Sequence, residues 1–310
     1  MRSPYFVLLA IPALCGQAPA PDGGAAKETP EVIAKAKREK CHRIYLEEAK
    51  GYAIYRDRTR AEKLELKREP VYVWTNPIRG GEQDGEVYVW TNRGRAEVIG
   101  TFFSYPGTGP RNLNHELHSL ATTVLDVNRP GANTWTPLAP GITPAAIEAA
   151  PPAGRTPSLR LSQMRALARD FAATTEDAKG RRWELRTLPQ PIFRYESTDP
   201  EVLDGAVFAF VTSAGTDPEL LLVLEARKAT KAATPSWHFG LARFTDMNLT
   251  VKHEGKVVMN VPMIPYDAPT QDAGGRYRSF RDRSIPAIEG TSEVETLQIP
   301  IAPDTARPKP

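Results

Sequence analysis

Two of the chain's five histidines lie in one short run, Asn114-His115-Glu116-Leu117-His118-Ser119, with a carboxylate between them. Imidazoles and carboxylates hold zinc and move protons. Whether these three converge depends on the backbone. On a helix His115 and His118 share a face; on a strand they oppose each other and only Glu116 and His118 align. Leu117, Leu120, Ala121, Val124 and Leu125 fit helical spacing, whereas Thr122-Thr123-Val124 favours a strand. The spacing is not the H-E-x-x-H of a zinc protease. Glu116 and His118 stand as catalytic candidates. His115 and His118 stand as metal-ligand candidates that would need His238 or His253 from elsewhere. The expectation for the run is a surface or capping role, with no metal and no cofactor.

Aromatic side chains offer a second chemistry. In Val71-Tyr72-Val73-Trp74 and Val87-Tyr88-Val89-Trp90 the rings alternate with valines, so each run puts two rings on one strand face. If the strands pair with all four rings on one face, Tyr72, Trp74, Tyr88 and Trp90 form a platform for a sugar or a peptide. The second half carries Phe193, Tyr195, Phe208 and Phe210 at the matching positions. Phenylalanine has no polar handle, which favours a repeated aromatic core beneath a helix.

A third candidate is Arg276-Tyr277-Arg278-Ser279-Phe280-Arg281-Asp282-Arg283, where Arg276, Arg278 and Arg281 suit an anionic ligand. The run is short and contains an acid. Net charge is +3, too little to argue for nucleic acid, and polysaccharide is the better partner. The chain has no G-x-S-x-G, Walker A, G-x-G-x-x-G or Cys-x-x-Cys motif.

These residues need elements to position them. Thr29-Pro30 opens an Ala, Glu, Lys and Arg-rich segment that should be helical to about residue 50. Met164, Leu167, Ala168 and Phe171 mark a second amphipathic helix. Strand-like runs follow each helix, with a hairpin at His253-Glu254-Gly255-Lys256. At an offset of about 120 residues, Glu65-Leu66-Lys67 matches Glu184-Leu185-Arg186, and Asp84-Gly85-Glu86-Val87-Tyr88-Val89-Trp90 matches Asp204-Gly205-Ala206-Val207-Phe208-Ala209-Phe210. The expected fold is α+β, a tandem duplication with one helix and an antiparallel meander of strands in each half. The expected organisation is a signal at 1–18, a leader at 19–27, a first half at 28–128, a Pro-rich linker at 129–158, a second half at 159–262 and a Pro-rich C-terminal extension at 263–310. Trp135 and Ile142 are potential anchors for the linker.

Asp204-Gly205-Ala206-Val207-Phe208-Ala209-Phe210, Gly215-Thr216-Asp217-Pro218-Glu219-Leu220-Leu221-Leu222, Trp237 and Ala242-Arg243-Phe244-Thr245 resemble an uncharacterised secreted family of environmental bacteria. The resemblance spans roughly residues 65 to 260. It implies export and a two-part organisation and brings no site.

Arg2 precedes the apolar run Phe6–Leu14 and then small residues, the order of a secretory signal. The run is about 9 residues, against roughly 20 for a membrane span. The expected location is secreted or periplasmic, with no transmembrane segment. Cys15 raises a lipoprotein alternative, but Pro12-Ala13-Leu14 does not resemble a lipobox. Removal of the signal leaves Cys41 as a lone thiol, expected to be a small buried residue. The sequence points to an exported, non-catalytic binding or scaffolding module, with polysaccharide or an extracellular protein as partner. The competing reading is a hydrolase or metal-dependent enzyme centred on His115, Glu116 and His118. Ligand and oligomeric state are not legible.

Overall fold

The structure is a computed structural model that describes residues 29–76, 83–131, 134–213, 215–228, 234–265 and 270–288. The expected signal, leader and Cys15, and residues 289–310 of the expected extension, lie outside these.

The chain opens with α1 (Pro30–Lys50), β1 (Ala53–Tyr55), β2 (Glu65–Leu66), β3 (Tyr72–Asn76), β4 (Gln83–Asn92), β5 (Arg95–Pro106), β6 (Arg111–Ser119) and β7 (Asp126–Asn128). Then come β8 (Ala145–Ala146), α2 (Pro157–Ala168), β9 (Phe171–Glu176), β10 (Arg182–Thr187), β11 (Phe193–Glu196), β12 (Val202–Val211) and β13 (Pro218–Arg227). The last strands are β14 (Ser236–Arg243), β15 (Asn248–His253), β16 (Lys256–Val261), β17 (Thr270–Gln271) and β18 (Tyr277–Ile285). Both helices start as their sequences dictate: Thr29 and Thr156 accept a hydrogen bond from the backbone N–H three residues on, and a proline takes the first helical position.

The first sheet has 7 strands, β17-β18-β6-β5-β4-β2 with β3 also paired to β4. The second has 9 strands, β16-β15-β9-β10-β12-β13-β14-β8 with β11 also paired to β12. Three apolar clusters order the layers. One lies between α1 and the first sheet and includes Ile44, Tyr45, Tyr88, Trp90 and Phe102. Another lies between α2 and the second sheet and includes Met164, Leu167, Phe208 and Leu222. The third joins the two sheets through Trp74, Val87, Val89, Ile99, Tyr195, Val207, Leu221 and Val223. The central strands are thus covered on both faces. Each fully buried Val, Leu, Ile or Phe contributes about 1.5–3 kcal/mol of transfer free energy.

The expected α+β class is overturned: the protein is mostly β, with 47% of residues in strands, 14% helical, and large curled antiparallel sheets. Strands buried on both faces read as unbroken apolar runs and lose the alternation that betrays a half-buried strand. Helical spacing stays visible in a sequence where that alternation is lost. Nor does each half close on its own. Strands β17 and β18, from the segment expected as an extension, complete the first sheet, with Phe280 opposite His115 and Arg281 opposite Asn114. The Pro-rich segment at 129–158 contributes β8 to the second sheet, and it buries Trp135 and Ile142. The Trp135 indole donates to the Gly275 carbonyl at 2.8 Å.

One register occurs in both sheets. Tyr72 pairs with Val87 and Trp74 with Gly85 in the first; Phe193 pairs with Val207 and Tyr195 with Gly205 in the second. Glycine is required at both places. A Cβ on Gly85 would lie 2.5 Å from the Trp74 ring, and one on Gly205 would lie 2.5 Å from Cζ of Tyr195. The bond from Leu120 N–H to the Glu97 carbonyl, 2.7 Å, has its counterpart from Phe244 N–H to the Glu219 carbonyl, 2.8 Å.

Candidate functional site

Strand β6 decides the fate of the histidine run. Its alternation turns His115 toward α1 and turns Glu116 and His118 toward the other sheet, so the three do not form one centre. His115 is fully buried, its Nδ1 2.8 Å from the Tyr52 hydroxyl and its Nε2 3.2 Å from Glu48 Oε2. Burial lowers its pKa below the usual imidazole value. Glu48, His115 and Asp282 bring their donor atoms within 4.8 Å of one another, a spacing that a cation would accept. Two guanidiniums already neutralise that cluster: Arg129 bridges Glu48 at 3.0 Å and Asp282 at 2.9 Å, and Arg283 contacts both carboxylates. The arrangement is a buried ion network in which arginine supplies the charge that a metal would bring. The metal candidates therefore separate, because His118 lies on the other face. Its Nδ1 is 2.6 Å from the Ser119 carbonyl, and burial lowers its pKa to about 4. His238 and His253 belong to the second sheet; His253 tilts against Phe171 with ring centroids 4.5 Å apart.

Glu116 faces a 420 Å³ cleft between the sheets, lined also by Asp217, Glu219, Asp246, Phe103, Phe244 and Tyr277. The Tyr277 hydroxyl donates to its Oε1 at 2.6 Å. Burial, reinforced by Asp246, Glu219 and Asp217, raises the Glu116 pKa well above the ordinary carboxyl value.

The aromatic platform does not exist. Tyr72 pairs with Val87 and not with Tyr88, so the β3 rings point away from the β4 rings. Trp74 lies in the core between the sheets, whereas Tyr88 and Trp90 lie under α1, and all three are buried. Tyr72 is half-buried and donates to the Thr216 carbonyl at 3.0 Å. The arginine run does not form one patch either. Arg276 pairs with Asp272 at 2.7 Å, Arg278 donates to the Thr134 carbonyl and lies over the Phe280 ring, and Arg281 is exposed on β18. Cys41 is buried, and burial beside Asp84 pushes its thiol up to about 12, which leaves the nucleophilic thiolate scarce.

A 790 Å³ cavity lies between α1 and the β3–β4 pair, and of its lining residues only Trp74 was a binding candidate from the sequence. Ala34, Cys41, Tyr45, Val73, Trp74 and Gly85 form apolar parts of its wall, and Lys37, Arg38 and Arg43 also line it. Glu39, His42, Thr75, Gln83, Asp84 and Glu86 line it too; His42 Nδ1 lies 3.0 Å from Glu86 Oε2, and the Tyr88 hydroxyl donates to the same oxygen at 2.5 Å. Below them the Tyr45 hydroxyl donates to Asp84 at 2.8 Å, and Arg111 holds that carboxylate at 2.9 Å. The available signal was the helical spacing of Ala34, Arg38, Cys41 and Tyr45, which puts one stripe of α1 toward the sheet.

No protein family, curated protein or solved structure matches this chain. No helix among the described residues is long and apolar enough to cross a membrane.

Proposed function

We propose that the protein is an exported, non-catalytic binding module whose ligand is a small molecule with an apolar body, held between α1 and the β3–β4 pair. The observation that carries this reading is the 790 Å³ cavity with its largely apolar wall. That volume lies within the roughly 300–1,000 Å³ of small-molecule sites, which combine apolar walls with a few polar groups. Here His42 and Glu86 are those groups. A cavity of this kind favours a small molecule over a polysaccharide or a protein partner.

Nile red, neutral and apolar, tests the cavity. Saturable fluorescence enhancement is expected with the parent protein, and at least tenfold weaker binding with Ala34→Trp, which fills the space, and with Val73→Asp. Val73 is 56% exposed, so that substitution leaves the fold intact. Equal binding by parent and both variants sinks the reading.

The location remains the one the first 18 residues suggest. A cleaved signal places the protein in the periplasm or outside the cell, free of a lipid on Cys15. Mass spectrometry of protein from the exported fraction is expected to show a chain lacking Met1 through about Gly16 or Ala18. An intact Met1 overturns it. The two sheets descend, in this reading, from one duplicated unit, supported by the register that both share.

A second reading rests on Glu116. A carboxyl whose pKa is raised by burial beside other carboxylates suits a general acid. It makes the cleft between the sheets a site for hydrolysis, with Glu116→Gln abolishing turnover and leaving Nile red binding unchanged.

A further inference from the structure

A second polar cavity, of 230 Å³, lies where the β4–β5 turn meets the start of β12, and it shares no lining residue with the cavity beside α1. Four arginines line it: Arg56, Arg93, Arg95 and Arg227. Arg95 is 4% exposed. Its Nε donates to Glu225 at 2.7 Å and its Nη1 to the Leu120 carbonyl at 3.1 Å. Its Nη2 is buried and has no hydrogen-bond acceptor among the described residues. A buried charged donor without an acceptor is costly, and an oxyanion is the partner a guanidinium fits best.

The other three arginines are held by pairs that a ligand can replace. Arg56 and Arg93 both lean on Glu62, which is 40% exposed, at 3.3 and 2.8 Å. Arg227 reaches Glu201, 70% exposed, at 3.3 Å while Glu225 anchors it at 2.6 Å. Exposed pairs of this kind are weak and exchange readily. Glu97 and Asp199 also line the cavity, where their charge opposes an anion, and Glu97 already pairs with Arg95 Nη1 at 3.0 Å, which leaves Nη2 as the open donor. Burial raises the Glu97 pKa while Arg95 beside it pulls the other way.

We propose that this cavity binds a tetrahedral oxyanion, free phosphate or a phosphate monoester, through Arg95 Nη2 with Arg56, Arg93 and Arg227 around it. The geometry asks for a compact ligand, because the cavity is only 230 Å³.

Calorimetric titration of the full protein with sodium phosphate and with glycerol phosphate, against sodium chloride at matched ionic strength, tests it. Saturable binding is expected with at least one phosphate ligand and not with chloride. Tight binding of glycerol phosphate assigns the site to a monoester, and binding of inorganic phosphate alone assigns it to the free anion. Arg93→Gln and Arg56→Gln, both at partly exposed positions, are each expected to weaken binding at least tenfold with an unchanged melting temperature in chloride. Should either variant melt early, the other carries the test, with Arg227→Lys as a third. Phosphate ligands that behave like chloride, or binding that survives Arg93→Gln and Arg56→Gln together, overturn the proposal and leave a cavity filled by water.

Discussion

Trp74→Ala is expected to cost about 3–5 kcal/mol of stability, read as a fall in urea midpoint at an unchanged denaturant slope. The indole is 3% exposed, in the core shared by both sheets. Its ring covers Gly85, where a side chain would have to overlap it, and it tilts against Phe103 at 5.4 Å. Its Nε1 donates to Thr101 at 2.9 Å. Alanine removes the ring and leaves a void that Gly85 cannot fill. The rigid sheets on either side limit collapse, so the cost belongs at the upper end for a large-to-small change. Tyr195→Ala, at the corresponding place over Gly205, is expected to behave likewise. It additionally deprives buried Glu225 of the tyrosine hydroxyl at 2.6 Å. A Trp74→Ala protein that melts like the parent yet loses a sugar or peptide ligand would restore the exposed platform.

The same residue shows what the sequence could and could not reveal. Alternation in Val71–Trp74 and Val87–Trp90 announced two strands, and both are there. Which faces combine depends on the parity of the pairing, and a slip of one residue inverts it. No feature of either run states that Tyr72 meets Val87. The histidine run was legible to the same depth: strand geometry separates His115 from Glu116 and His118 whatever else happens. The partners of His115 were not legible, because Glu48, Arg129 and Asp282 are distant in sequence and meet only when β18 pairs with β6. The setting of the arginine-rich run was hidden for a related reason. Seen alone it is a cluster of charge; paired as a strand it sends Tyr277 and Phe280 into different surroundings. The cavity beside α1 has no signature in the sequence because part of its wall comes from the helix and part from a hairpin, and neither part is unusual by itself.

Glu48 is where those distant segments are tied together, and acid is the way to test the tie. Burial disfavours its charge, but hydrogen bonds from His115 and Arg283 outweigh that and hold the carboxyl at about 2. A carboxyl with its folded pKa below its unfolded value of about 4.5 stabilises the fold above that value. The contribution is lost as pH falls from about 4.5 toward 2, and it amounts to about 3 kcal/mol at most. Glu48→Gln keeps the size of the side chain and removes the charge, leaving Arg129 and Arg283 facing a neutral group. It is expected to cost about 3 kcal/mol at pH 7, in the range for breaking a buried pair, and its difference from the parent should shrink toward zero near pH 2. His118 also destabilises the fold in acid. Held neutral to about 4, it contributes stability above its unfolded value of 6.5 that is lost as pH falls through that window. Parent and variant share that loss, so urea midpoints compared at pH 7, 4.5 and 2.5 read Glu48 together with His115, whose titration depends on it. A deficit that stays constant across the three would mean that glutamine disturbs packing and that the ion network contributes no charge-dependent stability. A deficit that closes with acid would show that one carboxylate on α1 fastens the helix to β6, to Arg129 and to the C-terminal strand β18.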